Sequence, residues 1–207
     1  MAKKVLTAGD LEKIPRGGEI AVAADSLVTP LAREEAERRG ITIRVLEPAG
    51  QETSTRGRVV ALGADHGGFA LKEELKNFLR EWGYVVLDLG TSNTDAVDYP
   101  DFAEVVAKAI GRGEAWRGVV IDSAGIGSCI AANKVAGARA AMCYDRATAR
   151  NSREHNDANI LSLGARLLQP ETAREILAVW LETPFAGGRH QRRVEKIRAI
   201  EERERKG

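Results

Sequence analysis

The segment VVIDSAGIGSCIAANK, residues 119–134, places two side chains that can move a proton on either side of a glycine-rich turn. Asp122 ends an apolar run, and Cys129 follows seven residues later, with Gly125 and Gly127 between them. A strand followed by such a turn and a helix presents backbone N–H groups that can hold an anion. The alternative is a purely structural turn, because a lone GxG pattern occurs often by chance.

Two further polar segments have residue types that suit a small polar ligand. In GADHGG, residues 63–68, Asp65 can accept hydrogen bonds from sugar hydroxyls, and His66 can donate to a phosphate or shuttle a proton near neutral pH. The alternative there is a helix cap at Asp65 with His66 exposed. In DYP, Tyr99 could line a pocket, although a turn with Pro100 in the first helical position explains that pattern better when it is taken alone.

Two segments near the C-terminus are dense in polar groups. Residues 152–159, SREHNDAN, surround His155 with hydrogen-bonding side chains, and we favour a functional role over capping for them. Farther on, GGRHQRRVEKI opens a long charged helix with three basic side chains, Arg189, Arg192 and Arg193. This basic turn could clamp a phosphate through bidentate guanidinium contacts, whereas the rest of the helix is a solvated surface with i,i+4 ion pairs.

These segments must be positioned by the alternating strand and helix patterns that run from residue 58 onward. The predicted strands are 59–65, 84–90, 118–122, 138–143 and 159–164. The predicted helices are 69–82, 100–110, 145–153, 170–182 and 190–206. Such alternation predicts an α/β fold with a parallel sheet covered on both faces. Ligands bind at the carboxyl ends of the strands in these sheets, which is where the glycine-containing segments lie.

The composition of the 207-residue chain narrows the class of protein. It is 43% hydrophobic and 29% charged, which is typical of a soluble protein with a real core, and its net charge of +1 gives no case for nucleic acid or membrane partners. Its apolar runs are too short to span a bilayer, and its N-terminus lacks the apolar stretch of a secretory signal. With two cysteines and three separated histidines, we expect a cytoplasmic protein with free thiols and no metal site.

The first 47 residues are predicted to form a small unit of their own. Residues 18–25 and 41–46 are strand-like, and the helix between them opens at Pro30 and closes at Gly40. The polar residues 48–57 are typical of a linker. The chain is therefore predicted to hold an N-terminal β-α-β extension at 1–47, a linker at 48–57, and a larger domain at 58–207.

Six ordered blocks resemble ribose-5-phosphate isomerase type B and the related galactose-6-phosphate isomerase subunits. The similarity runs from about Arg58 to Ile200, and the blocks are GADHGGFALKEELKNFL, LDLGT, VDYPDFA, GIGSCIAANKVAGARAAMC, ARNSREHNDANILSLGARLL and FAGGRHQRRVEKI. The resemblance implies a Rossmann-like three-layer sandwich with a five-stranded parallel sheet. It also implies an aldose–ketose isomerase of the pentose phosphate pathway that needs no metal or cofactor. Such an enzyme works as a homodimer, often paired into a tetramer, and takes some site residues from the partner subunit.

The resemblance also implies roles for individual residues. Asp65 and His66 would contact the sugar and assist ring opening or phosphate binding, and Tyr99 would line the pocket. His155 would help to open the furanose ring, and Asn156 would hold the reacting oxygens. Three arginines would grip the phosphate, namely Arg166, Arg189 and Arg193. The cis-enediolate needs stabilising N–H groups, and the backbone of the glycine turn suits that need. The residues concerned are Gly125, Ile126, Gly127 and Ser128.

The sequence departs from the family pattern in the glycine turn, where many relatives have a cysteine base in place of Asp122 and another branch has a glutamate in place of Ser128. Three interpretations follow, in this order of preference. Asp122 is the base, which requires a partly desolvated carboxylate with a raised pKa. Cys129 is the base, with its pKa lowered by the helix N-terminus. The third is a site that binds sugar phosphate with weak or altered catalysis.

Two expectations remain, one about the substrate and one about the N-terminal unit. We expect the interconversion of ribose 5-phosphate and ribulose 5-phosphate. The alternatives are allose 6-phosphate or galactose 6-phosphate as substrate, or a non-catalytic sugar-phosphate-binding protein.

The segment ADSLVTPLAREEAERRGITI resembles a segment of bacterial microcompartment proteins. It implies docking to a shell or cargo partner through residues 1–47, inside a microcompartment. A packing or oligomerisation appendage is an equal alternative.

Overall fold

In the computed structural model, which describes residues 5–23, 26–46 and 58–205, the chain divides into two units, Met1–Ser54 and Thr55–Gly207. The linker predicted at 48–57 lies outside the described residues. None of the helices within the described ranges is long and apolar enough to cross a membrane.

The first unit contains two short parallel strand pairs. Its elements are β1 (Val5–Leu6), α1 (Ala8–Leu11), β2 (Glu19–Ala23), β3 (Leu27–Val28), α2 (Pro30–Arg39) and β4 (Thr42–Leu46). Strand β1 pairs with β3, and β2 pairs with β4. Helix α2 begins after Thr29, whose Oγ1 accepts the Ala32 N–H at 3.3 Å, and it ends at Gly40, which has a φ of 67°. The predicted β-α-β extension is confirmed as β2, α2 and β4.

The second unit is built on a five-stranded parallel sheet. The strands are β5 (Val59–Ala64), β6 (Val85–Asp88), β7 (Arg117–Asp122), β8 (Ala140–Met142) and β9 (Ile160–Gly164), in the spatial order β6-β5-β7-β9-β8. The central strand β7 is buried along its whole length, which explains its continuous apolar run. The predicted parallel sheet is therefore confirmed.

Helices cover both faces of this sheet. They are α3 (Phe69–Glu81), α4 (Tyr99–Gly111), α5 (Ile126–Ala132), α6 (Arg146–Asn156), α7 (Pro170–Glu182) and α8 (Gln191–Glu204). One core contains Leu75 of α3 and Trp180 of α7, and the other contains Val106 of α4 and Ala132 of α5. The two separate cores make the three-layer sandwich that the resemblance implied.

Helix α6 runs three residues farther than predicted, and this changes where its polar groups lie. The sequence pattern predicts that the helix ends at residue 153, but it continues to Asn156 and stops at Asp157, which adopts a left-handed φ of 48°. Arg153 and Arg139 each donate to the Asp157 carboxylate at 2.9 Å and hold this unusual residue in place. His155 and Asn156 therefore occupy the last turn of a helix rather than a loop.

Candidate active site

The loop after β5 places Asp65 and His66 at the carboxyl end of the sheet. Asp65 is 6% exposed, and its Oδ1 accepts the Gly68 N–H at 2.9 Å, in the turn that leads into α3. Its Oδ2 has no hydrogen-bond partner in the described part of the chain. The exposed His66 places Nδ1 3.2 Å from the Val97 carbonyl oxygen. One oxygen of Asp65 therefore holds the turn before α3 without capping the helix itself, and the other oxygen remains available to a ligand.

The loops after β5, β7 and β9 meet at one place. A Cβ on Gly67 would collide with Ser123 Oγ, so the first two loops are in close contact. The Arg166 N–H donates to the Ser123 carbonyl at 3.0 Å, which ties the loop after β9 to the same turn. A Cβ on Gly127 would lie 2.5 Å from Tyr99 Cζ, so the tyrosine ring lies directly against the glycine turn. The sheet therefore brings together the loops after β5, β7 and β9, with Tyr99 against the glycine turn.

Asp122 is held by the glycine turn that follows it. Its Oδ1 accepts the Ala124 N–H at 2.8 Å and also the Gly125 N–H, and its Oδ2 accepts the Ser128 N–H at 2.8 Å. Burial raises the pKa of this carboxyl, but hydrogen bonds from Ser128, Gly125 and Ala124 outweigh burial and bring the pKa below its usual value. The expectation of a raised pKa for Asp122 is therefore wrong, because hydrogen bonds from the N–H groups of the turn stabilise the charged carboxylate.

This arrangement also limits the backbone groups available to a substrate. Of the four amides predicted to hold the enediolate, those of Gly125 and Ser128 already donate to Asp122. Those of Ile126 and Gly127, the first two residues of α5, make no hydrogen bond within the described residues. Only these two amides remain free to bind an oxyanion.

Cys129 points away from the glycine turn, toward strand β8. Its Sγ donates to the Ala140 carbonyl at 3.4 Å, and the Asn133 amide nitrogen lies 3.7 Å from the sulfur. Burial raises the pKa of the thiol, the Met142 backbone opposes this, and the charge of Asp122 adds to the rise. The expected lowering of this pKa by the helix N-terminus is therefore wrong, because desolvation dominates.

A second group of predicted residues lies around the end of α6. His155 Nδ1 accepts a hydrogen bond from the Asn151 amide at 2.9 Å, and its ring stacks on His190 with centroids 4.1 Å apart. A pocket of about 580 Å³ lies alongside, lined by Gly188, Arg189, Arg192, Arg193 and Lys196. The predicted basic turn therefore forms a cationic pocket that begins next to the stacked His155–His190 pair.

Two buried arginines support this second group, namely Arg153, from the polar segment 152–159, and Arg117, which the sequence analysis did not single out. Arg117 Nη1 donates to the carbonyls of Trp180 and Leu181, and Arg153 Nε donates to the Thr183 carbonyl at 3.2 Å. They cap the end of α7 and fix the chain that leads to Arg189. Burial, followed by the charge of Arg153, lowers the pKa of Arg117 to about 9. For Arg117, the only signal in the sequence was an arginine at the start of a buried strand.

The two groups lie at opposite ends of the sheet. We call Asp65, His66, Tyr99, Asp122, the turn Gly125–Ser128 and Arg166 the carboxyl-edge set, and His155, Asn156, Arg189 and Arg193 the amino-edge set. Asp122 pairs with Gly164, the last residue of β9, whereas α6 ends before Ile160, the first residue of that strand. The five residues of β9, at about 3.3 Å per residue, put roughly 13 Å between the two edges. One chain does not bring the two sets together.

The protein-family model described as Ribose/Galactose Isomerase matches residues 60–197. The chain is 46% identical over 144 residues to ribose-5-phosphate isomerase B of Escherichia coli, across 70% of this chain and 97% of that protein. It is 41% identical over 146 residues to the D-erythrulose-4-phosphate isomerase of Pectobacterium atrosepticum, across 70% and 96%. It resembles the solved ribose-5-phosphate isomerase B of Clostridium thermocellum with a TM-score of 0.69 and 51% identity, covering 70% of this chain and 98% of that one.

The fold and these likenesses define the class of protein, which is an α/β isomerase of sugar phosphates. The chain belongs to the ribose/galactose isomerase family, and the resemblance to type B ribose-5-phosphate isomerases is confirmed. The family match begins at residue 60. The resemblance of residues 1–47 to microcompartment proteins stays a prediction. Among the described residues, no group of three or more His, Cys, Asp or Glu side chains could hold a metal ion.

Proposed function

We propose that this isomerase interconverts ribose 5-phosphate and ribulose 5-phosphate through a cis-enediolate. The observation that carries the proposal is the chemistry of the two sets. In the amino-edge set, His155 stacks on His190, which accepts a hydrogen bond from Arg189 in the wall of the cationic pocket, and this combination suits ring opening and phosphate capture. The carboxyl-edge set supplies buried carboxylates and two free amides, which suit proton transfer between C2 and C1 and an enediolate oxygen.

We propose that each active site combines the carboxyl-edge set of one subunit with the amino-edge set of a second, in a homodimer that can pair further into a tetramer. The separation of the two sets within one chain supports this arrangement. A groove of about 950 Å³ that includes Asn156, Ile197 and Ile200 gives further support, because both isoleucines are exposed. Exposed apolar side chains around a groove fit burial against a second copy.

Three residues are candidates for the proton-transfer base. Asp122 as the base stays a prediction, and the three backbone hydrogen bonds that its carboxylate accepts, together with its lowered pKa, count against it. Asp65 has a buried carboxylate with one oxygen unbonded in the described part of the chain, and we propose it as the group that takes the proton if Asp122 does not. Cys129, the second prediction, faces β8 and is the weakest candidate.

Exchange of the substrate C2 hydrogen with deuterated water separates these assignments. If Asp122 is the base, Asp122→Asn abolishes exchange and turnover. If Asp65 is the base, Asp65→Asn abolishes exchange, whereas folded Asp122→Asn retains measurable exchange. Cys129→Ala serves as the third arm, and wild-type exchange in that variant excludes the thiol. If all three variants retain exchange, that result supports the altered-catalysis interpretation.

The substrate is tested by coupled assays. We expect the highest kcat/KM with ribose 5-phosphate, compared with allose 6-phosphate, galactose 6-phosphate and erythrulose 4-phosphate. The last belongs in the panel because a relative with 41% identity is named for it. If the enzyme turns over only a hexose phosphate or the tetrose phosphate, that sugar replaces the pentose in the proposal. Binding without turnover of any of the four would favour a non-catalytic sugar-phosphate-binding protein.

We propose further that residues 1–47 dock the enzyme to a microcompartment shell or cargo protein. The unit has its own small core, which includes Leu11, Ala32 and Ala36, and it exposes Leu31 on α2. A fusion of residues 1–50 to a fluorescent protein should co-localise with co-expressed shell proteins, and Leu31→Asp should weaken that localisation. A diffuse cytoplasmic signal from the wild-type fusion would favour the oligomerisation alternative.

A further inference from the structure

His190 is a buried imidazole that packing alone does not explain. The residue is 6% exposed, and its Nδ1 is buried without a hydrogen-bond partner in the described part of the chain. An apolar side chain of similar size would fill this space without leaving a polar atom unsatisfied. This cost suggests that His190 is present for its chemistry.

The other ring nitrogen of His190 receives a hydrogen bond from Arg189, whose Nε lies 3.3 Å from His190 Nε2. A guanidinium only donates, so Nε2 must be the acceptor and the neutral ring carries its hydrogen on Nδ1. A proton cannot add to Nε2 while the Arg189 N–H occupies that lone pair. The hydrogen bond from Arg189 therefore keeps His190 neutral.

The stacked ring of His155 adds to this effect. The two rings lie 4.1 Å apart and within 8° of parallel, so two imidazolium charges there would repel each other. Burial lowers the pKa of His190, and the nearby charges of His155, Arg189 and Arg193 lower it further, while Glu154 opposes them. Without an anion, the surroundings therefore favour the uncharged His190 ring.

We infer that Arg189 is a shared donor: when a phosphate binds, the Arg189 N–H turns from His190 Nε2 to the phosphate, and the freed nitrogen allows His190 to take up one proton. The proton comes from solvent and adds to the freed lone pair, and no other bond forms or breaks. His190 is thus charged only when a phosphate is bound beside it, which couples acid assistance in ring opening by the stacked His155 to substrate capture. This inference rests on the phosphate site in the proposed function.

The test follows the imidazole Cε1–H signals by NMR across pH, with inorganic phosphate as the probe. We expect phosphate to raise the pKa of His190 in the wild-type enzyme. The matched variants are Arg189→Gln and Arg193→Gln, which remove the same charge, although only Arg189 donates to His190. In phosphate-free buffer, Arg189→Gln should raise the His190 pKa more than Arg193→Gln does. Arg146→Gln, a surface change on α6, should leave the titration unchanged.

Two results overturn the inference. Equal rises in Arg189→Gln and Arg193→Gln would show that charge alone sets the titration. A wild-type titration that phosphate does not move, although calorimetry shows phosphate bound, would show that Arg189 is not released. If calorimetry shows no binding, the phosphate site of the proposed function is wrong, and the phosphate-free comparison still decides whether Arg189 controls His190. His190→Phe should lower kcat/KM roughly 10-fold with a smaller change in KM, because the stacked ring remains but the proton site is lost.

Discussion

Asp122 and His155 lie at opposite ends of the same parallel sheet, Asp122 at the carboxyl end of β7 and His155 at the end of α6 that precedes β9. Because α6 runs antiparallel to the strands, its last turn lies level with their amino ends. Isomerisation of a cyclic sugar phosphate needs groups of both kinds near one substrate. The geometry of a single chain therefore argues for an active site shared between two chains.

His155 is expected to matter for ring opening more than for proton transfer. His155→Ala should reduce kcat/KM for ribose 5-phosphate by about 100-fold or more, which is the usual loss for a general acid or base. A four-carbon sugar phosphate, whose terminal hydroxyl is esterified, cannot close a furanose ring, so the same variant should lose much less on erythrulose 4-phosphate. Equal losses on both substrates in steady-state assays would contradict the ring-opening role.

Asp122 is expected to stabilise the glycine turn through its charged form. Removing the carboxylate in Asp122→Asn turns an acceptor toward the Ser128 N–H into a donor, and we expect a loss of about 1–3 kcal/mol in the free energy of unfolding. Because folding lowers the pKa of Asp122, its stabilisation is complete above the unfolded pKa of about 3.9 and disappears as the pH falls through the folded value.

Urea unfolding between about pH 2 and pH 7 measures this effect. The difference in stability between wild type and Asp122→Asn should shrink as the pH falls below about 4. Asp145→Asn is a useful control, since Asp145 also has a lowered pKa but caps α6 far from the turn in sequence. A difference that does not vary with pH would mean that Asp122 is not charged in the folded protein.

The two cysteines are expected to react slowly. Burial raises the pKa of Cys129 and raises that of Cys143 to about 11, so both remain thiols at neutral pH. Alkylation by iodoacetamide at about pH 8 should be slower than that of a free thiol with a pKa near 8.5. Cys129→Ala should keep isomerase activity within about 3-fold of wild type, since no transition-state contact is removed. Rapid alkylation with parallel loss of activity would return the thiol to the list of candidate bases.

The sequence predicted those parts of the site that depend on strand order. Parallel strands carry their following loops to one edge, so the meeting of the loops after β5 and β7, at Gly67 and Ser123, followed from the alternation of elements. Arg166, whose N–H donates to the Ser123 carbonyl, was implied only by the family resemblance. The end of α6 was missed because the left-handed Asp157 is held not only by Arg153, four residues earlier, but also by Arg139, which is 18 residues away in sequence. Local spacing carries no information about such tertiary capping.

The charge state of Asp122 was unpredictable for a different reason. Its pKa depends on whether burial or hydrogen bonding to the turn dominates, and that balance depends on where three backbone N–H groups point. Sequence spacing placed Asp122 and Cys129 on the same strand–helix junction but gave no direction for either side chain. The His190 stack was missed because it forms between α6 and the distant 3-10 turn Gly188–His190.

Subunit complementation tests the shared site most directly. Asp65→Asn lies in the carboxyl-edge set and His155→Ala in the amino-edge set, and each variant alone should be nearly inactive. After the two are unfolded together and refolded at equal concentrations, half of the dimers are mixed and each mixed dimer has one intact site. We predict recovery of about one quarter of the wild-type activity. If mass spectrometry confirms mixed dimers and the activity stays at the level of the separate variants, the shared active site is contradicted.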